Sequence, residues 1–204
     1  MPSPIALITG ANGGLGTHVT QAMLATGATV VGLSPNIKQS DFDHPNFFAL
    51  PAALDSLDAA KNAVATVISR YKKIDILAHL VGGFAGGQSI AETDDATFQR
   101  MFAMNVNSAF HILRAVLPPM RQAKSGRIIA IGSRAAEDPG PNVGAYSASK
   151  AALVSLIKTV ARENKDAGIT VNVILPAPSI HPPTAKTCPA QISVNGCNPR
   201  QSPA

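Results

Sequence analysis

Short apolar runs alternate along most of the chain with longer stretches in which apolar positions recur at helical spacing. Residues 5–9, 28–33, 47–50, 74–81, 127–131 and 169–175 are largely Ile, Val, Leu, Ala and Phe. Runs that are apolar at nearly every position, rather than every second one, predict strands buried on both faces. Residues 15–26, 56–70, 96–116 and 146–165 carry the helical period; in the second, Ala59, Ala63, Val64 and Val67 share one face. Gly27 and Gly168 stand where helices should stop. Asp94 and Asp95 suit the positive end of the third helix dipole, and Pro118-Pro119 should end it. This alternation predicts an open, doubly wound α/β domain, Rossmann-like, with a parallel sheet covered on both faces. It spans residues 1–175 without an internal repeat or a second domain.

Composition narrows the classes. Hydrophobic residues make up 46% of the 204 positions, enough for a folded core. The formal charge is +5, but the cations are scattered and Trp is absent, so no basic, base-stacking surface for nucleic acid is expected. No apolar run approaches the roughly 18 residues that span a bilayer. Met1-Pro2-Ser3-Pro4 lacks the basic and apolar regions of a signal peptide. The two cysteines, Cys188 and Cys197, suit neither a zinc site nor a disulfide framework, so no metal is expected and a reducing, cytoplasmic location is. His18, His79 and His111 are scattered and read as structural.

The first strand runs into Thr9-Gly10-Ala11-Asn12-Gly13-Gly14-Leu15-Gly16. Glycines there allow a sharp turn and close backbone approach to a pyrophosphate. The helix that follows offers free N–H groups and a positive dipole end. The spacing is T-G-x-x-x-G-x-G, not G-x-G-x-x-G, and it lacks the Lys-Ser/Thr of a P-loop. After the second strand, where an acid would hold ribose hydroxyls, stand Leu33-Ser34-Pro35-Asn36, with Lys38 beyond. The missing acid and nearby cation lean towards NADP over NAD.

Tyr146-Ser147-Ala148-Ser149-Lys150 sets a phenol and an amine at i and i+4 on one helix face. A phenol is a poor acid/base at neutral pH, and an adjacent ammonium favours its ionised form. Such a pair can pass a proton to or from a carbonyl or alcohol oxygen. Ser133, at the end of the fifth strand, could hold the same oxygen. Together the glycine turn, Ser133, Tyr146 and Lys150 resemble the short-chain dehydrogenase/reductase family in order and spacing over about residues 4–175. The resemblance implies hydride transfer between NADP or NAD and a small carbonyl/alcohol substrate. It further implies that Tyr146 is general acid/base, Lys150 lowers its pKa and holds the nicotinamide ribose, Ser133 orients the substrate and Asn105 supports a proton relay. The implied cofactor contacts are Thr9, Gly10, Asn12, Gly14, Leu15, Gly16, Ser34, Val81 and Gly82, besides Tyr146 and Lys150. A homodimer or homotetramer through the helices bearing Asn105 and Tyr146 is implied as well. One departure follows the fourth strand, where many relatives have Asn-Asn-Ala-Gly. Here the run Gly82-Gly83-Phe84-Ala85-Gly86-Gly87, like Ala135 to Pro141, is similar to the dihydropteridine reductase branch, which implies a quinonoid, pterin-like substrate as an alternative.

The segment 176–204 differs in kind. It holds seven of the sixteen prolines, no acid, and no strand or helix period, and is expected to be disordered. It also departs from the family's continuation. Shifting its codons one base earlier changes that. With allowed codon choices, Pro176 to Pro203 re-read as S-T-I-D-T-P-A-N-R-K-D-M-P-G-A-D-F-S-K-W-V-Q-P-E-A-I-A. Two bases of each codon are fixed by the residues, and the product resembles the family's continuation and the same reductase branch. The expectation is a frameshift near Pro176, in the gene or its sequencing, that removes the final strand and substrate segment. The rival reading is therefore a protein that binds nucleotide but does not turn over.

Overall fold

A computed structural model describes residues 3–176. The expected tail beyond 176, with both cysteines, lies outside the described residues. Six strands form one parallel sheet: β1 (Ile5–Thr9), β2 (Thr29–Ser34), β3 (Phe47–Pro51), β4 (Ile76–His79), β5 (Gly126–Ile131) and β6 (Ile169–Ile174). Their order is β3-β2-β1-β4-β5-β6. β1 is buried at every position, as its unbroken apolar run requires. Five longer helices connect the strands: α1 (Gly14–Ala25), α2 (Leu57–Tyr71), α3 (Asp95–Phe102), α4 (Ser108–Ala123) and α5 (Gly144–Glu163).

The helices cover both faces. One core joins Leu7, Leu33, Leu77 and Ile128 of the sheet to Val64 and Val67 of α2, Ile112 and Val116 of α4, and Leu153 and Ile157 of α5. A smaller core on the other face places Ala6, Ile8 and Val30 against Leu24 of α1, Ile37 and Phe42. Two helix starts follow the expected chemistry. Ser56 accepts from Ala59 N–H and Asp94 from Thr97 N–H, pairing amides that would otherwise be orphaned.

Three expectations need correction. Pro118 and Pro119 do not end the helix; both lie inside α4. Their missing N–H groups cost two backbone bonds, yet Leu117 and Met120 are buried around them and hold the last turn in place. The helix expected over 96–116 is interrupted by a π turn at Ala103–Asn107 between α3 and α4. Ser133 does not end β5; the strand stops at Ile131, and Ser133 instead caps a short 3-10 turn, Arg134–Ala136.

The chain leaves β1 to build β2 and β3 on one side, then crosses to build β4, β5 and β6 on the other. That reversal opens a crevice beyond the C-terminal ends of β1 and β4, where such sheets bind ligands.

Candidate functional site

The crevice is lined by the loop after β1, the loop after β4 and the start of α5. The two loops touch. Gly10 adopts φ +69°, and a Cβ on it would lie 3.2 Å from Val81 N. Gly16 packs α1 against the same turn; a Cβ there would overlap the Gly10 carbonyl oxygen and come within 2.9 Å of Ala11. Gly14 is different. Nothing lies within 4 Å of where its Cβ would be, so the surface above it is open. Gly13 caps α1 without a side-chain bond, and the first turn holds no acid. The first amides of the helix have no intrahelical partner, and Asn12 and Leu15 beside them are exposed. This cradle suits an anionic pyrophosphate.

Thr9 is fully buried, and its hydroxyl is used internally. It accepts from Leu80 N–H (3.2 Å) and shares a hydrogen bond with His79 Nδ1 (2.9 Å). The other ring nitrogen, Nε2, is buried and has no hydrogen-bond partner among the described residues. Burial, reinforced by the Lys150 charge, pushes the imidazole pKa down to about 3. His111 meets the Leu54 carbonyl at 3.1 Å and belongs to the packing of α4.

Beyond β2, Ser34 is half-buried and Lys38 is exposed. The acid missing from the strand end arrives by another route. A 3-10 turn, Gln39–Asp41, folds the Asp41 carboxylate back, where it accepts from Asn12 Nδ2 (3.2 Å) and Lys38 N–H (3.1 Å). Only the folded chain brings Asp41 to the glycine turn.

α5 presents Tyr146 and Lys150 on one face. Lys150 Nζ lies 5.9 Å from the centre of the Tyr146 ring and donates to the Ile131 carbonyl at the end of β5 (2.9 Å). Lys150 is 5% exposed, and desolvation lowers its amine pKa to about 8. Asn105, buried in the π turn, accepts from Gly83 N–H (2.9 Å) and donates to Gly83 O (3.1 Å) and Ser149 Oγ (2.9 Å). Ser149 in turn donates to the Tyr146 carbonyl (2.7 Å). Asn105 thus ties the loop after β4 to the turn of α5 that carries the pair. A Cβ on Gly82 would come within 2.8 Å of Asn105 Oδ1 and 3.2 Å of Lys150 Nζ, so a side chain at this mouth of the site would have to displace one of them. Ser133, half-buried, accepts from Ala135 N–H (3.2 Å) and sits two residues beyond the carbonyl that Lys150 grips.

The structure therefore gathers Gly82, Asn105, Tyr146 and Lys150, with the glycine turn adjoining through Gly10 and Val81. Ser149 and Asp41 were not singled out by sequence. A serine between Tyr146 and Lys150 was the available signal for the first; nothing local marked the second.

Comparison with known proteins finds relatives of the whole domain. The family model for short chain dehydrogenase matches residues 4–191. A short chain dehydrogenase of Penicillium brasilianum is 33% identical over 174 residues, covering 84% of this chain and 67% of the relative. The crystal structure of a short-chain dehydrogenase from Streptomyces avermitilis superposes with a TM-score of 0.79 at 28% identity, over 86% of this chain and 65% of that one. A 3-ketoacyl-(acyl-carrier-protein) reductase from Brucella melitensis, solved with NADH, gives 0.79 at 26% identity, over 85% and 75%. The chain thus spans about two thirds of the length of such proteins.

Proposed function

Because this chain belongs to the short chain dehydrogenase family of oxidoreductases, we propose that it interconverts a carbonyl and an alcohol with a nicotinamide dinucleotide, Tyr146 being the general acid/base. The observation that carries the reading is the Tyr146–Lys150 pair, tied through Ser149 and Asn105 to the glycine loop at the sheet's reversal point. The open amide cradle over Gly14 and the side-chain-free mouth at Gly82 fit the dinucleotide, which supplies or takes up the hydride when bound. The chain's own residues handle the proton. In reduction, the Tyr146 hydroxyl gives its proton to the carbonyl oxygen as that oxygen gains charge; in oxidation the phenolate takes it back. Lys150, cationic below about pH 8, favours the phenolate and offers N–H donors to the nicotinamide ribose. Ser133 orients the substrate oxygen, and Asn105 fixes the loop and the relay. Lys38 favours a 2′-phosphate, hence NADP, while Asp41 beside Asn12 opposes it. Exposed Met104, in the π turn, and Phe110, on α4, support assembly with a second copy through these helices.

Tyr146→Phe is the test. It should lower turnover by at least about a hundredfold, the usual worth of a general acid, while the cofactor dissociation constant stays within a few-fold. Equal turnover in the variant would overturn the assignment.

A second reading is favoured by the tail: binding of cofactor without turnover, caused by a frame change near Pro176. The re-read segment supports it. Sequencing the codons for 175–203 decides it; codons incompatible with the second frame refute it. Restoring the frame should restore turnover to a chain that already binds cofactor.

A further inference from the structure

We infer that Phe84 is an aromatic wall of the substrate cleft and selects substrates whose reacting carbonyl adjoins a flat aromatic ring. This rests on Tyr146 being the proton donor, since the wall matters only if the reacting oxygen lies at that phenol. The Phe84 ring stands edge-on to Tyr146, with centroids 4.9 Å apart and planes at 71°. It is nevertheless 65% exposed. A single exposed apolar side chain is ordinary; one set against the phenol and held there from several sides is not.

The loop has little freedom to carry the ring away. Asn105 grips both backbone groups of Gly83, the residue before it. Gly87 N–H donates to the Asn142 carbonyl (2.8 Å), tying the far side of the loop to the segment that enters α5. Between these anchors the ring lies over Gly86, where a Cβ would come within 2.8 Å of Phe84 Cζ and 3.0 Å of Val143 Cγ1. Ile90, 68% exposed, covers Gly144 at the first turn of α5. Phe84, Ile90 and Val143 thus make an apolar rim beside Tyr146. Residues 80–91 carry no charge, so this wall offers nothing to an anionic or cationic substrate. What it offers is a ring face and edge with a defined quadrupole, to which another aromatic ring packs better than a saturated ring of equal size.

The probes are acetophenone and cyclohexyl methyl ketone, which share a carbonyl and differ in ring aromaticity. They are titrated by calorimetry or saturation-transfer NMR into the 204-residue chain saturated with oxidised cofactor, so that no hydride is available. Acetophenone should bind about two- to tenfold more tightly, the range of an aromatic pair. Phe84→Leu, which keeps bulk and apolarity, should bring the ratio close to one without changing cofactor affinity. A ratio near one in the unaltered chain, an unchanged ratio in Phe84→Leu, or no binding of either ketone would overturn the inference. Failure of the Tyr146 assignment reads differently: Tyr146→Phe would keep turnover while the binding ratio stayed as it was. If cofactor does not bind, the same two ketones titrated into the free chain still report on Phe84.

Discussion

Replacing His79 with Asn should flatten the acid side of the stability profile. In the folded chain burial and the Lys150 charge hold the imidazole neutral, with its pKa down from 6.5 to about 3. In the unfolded chain it takes up a proton below its ordinary value. The stability associated with the neutral ring is therefore complete above about pH 6.5 and is lost as pH falls towards 3. Each unit inside that window costs about 1.4 kcal/mol, which comes to about 2 kcal/mol between pH 7 and pH 5. Asn keeps a short amide, both donor and acceptor, to pair with the Thr9 hydroxyl, and does not titrate. Urea unfolding of both proteins at the two pH values gives four free energies, and their double difference isolates the imidazole from all shared titrations. The expected result is that the unaltered chain loses about 2 kcal/mol more than His79→Asn. Equal losses would mean that the ring is hydrated or protonated in the folded state, and the reasoning would fall.

Gly14 and Gly16 should part company when changed to Ala. Gly16→Ala should destabilise the fold by about 1–3 kcal/mol through overpacking. Gly14→Ala should leave thermal stability unchanged or slightly higher while weakening cofactor binding at least tenfold. Loss of stability in Gly14→Ala would remove the case for an open cradle. Cofactor affinity should fall as pH rises through about 8, where Lys150 loses its charge, by up to tenfold per unit. Lys150→Arg, charged throughout, should abolish that dependence, and a fall that persists in it would assign the titration elsewhere. Asp41→Asn should shift the ratio of NADPH to NADH affinity towards NADPH, and Lys38→Ala towards NADH; no movement in either variant would exclude both side chains from the choice.

Much of the fold is legible in the sequence because a parallel sheet covered on both faces demands strands that are apolar at nearly every position. The run at 5–9 and the glycine turn behind it need no tertiary information to be read. Pro118-Pro119 shows where local rules fail. A missing N–H is a local fact, but the burial of Leu117 and Met120 that outweighs it is not. The site divides the same way. Tyr146 and Lys150 are neighbours on one helix and can be paired by counting. Asp41 reaches Asn12, Asn105 reaches Gly83, and Phe84 reaches Tyr146 only through the three-dimensional path of the chain. Thr9 is instructive in another respect: its place in the motif was legible, but the bond its hydroxyl makes to His79 was not.

The contact of Gly10 with the backbone of Leu80 and Val81, backed by the Thr9–His79 bond, bears on modularity. The first βαβ unit looks like a cassette that could be moved to another scaffold. Its glycine turn, however, takes its shape partly from β4, a strand that enters the sheet only after β3 and α2. A graft of residues 3–34 alone would carry an unsupported turn and an unpaired threonine. The smallest transferable piece of this site is the seam between β1 and β4, and a chimera that keeps that seam should retain nucleotide affinity that a cut across it destroys.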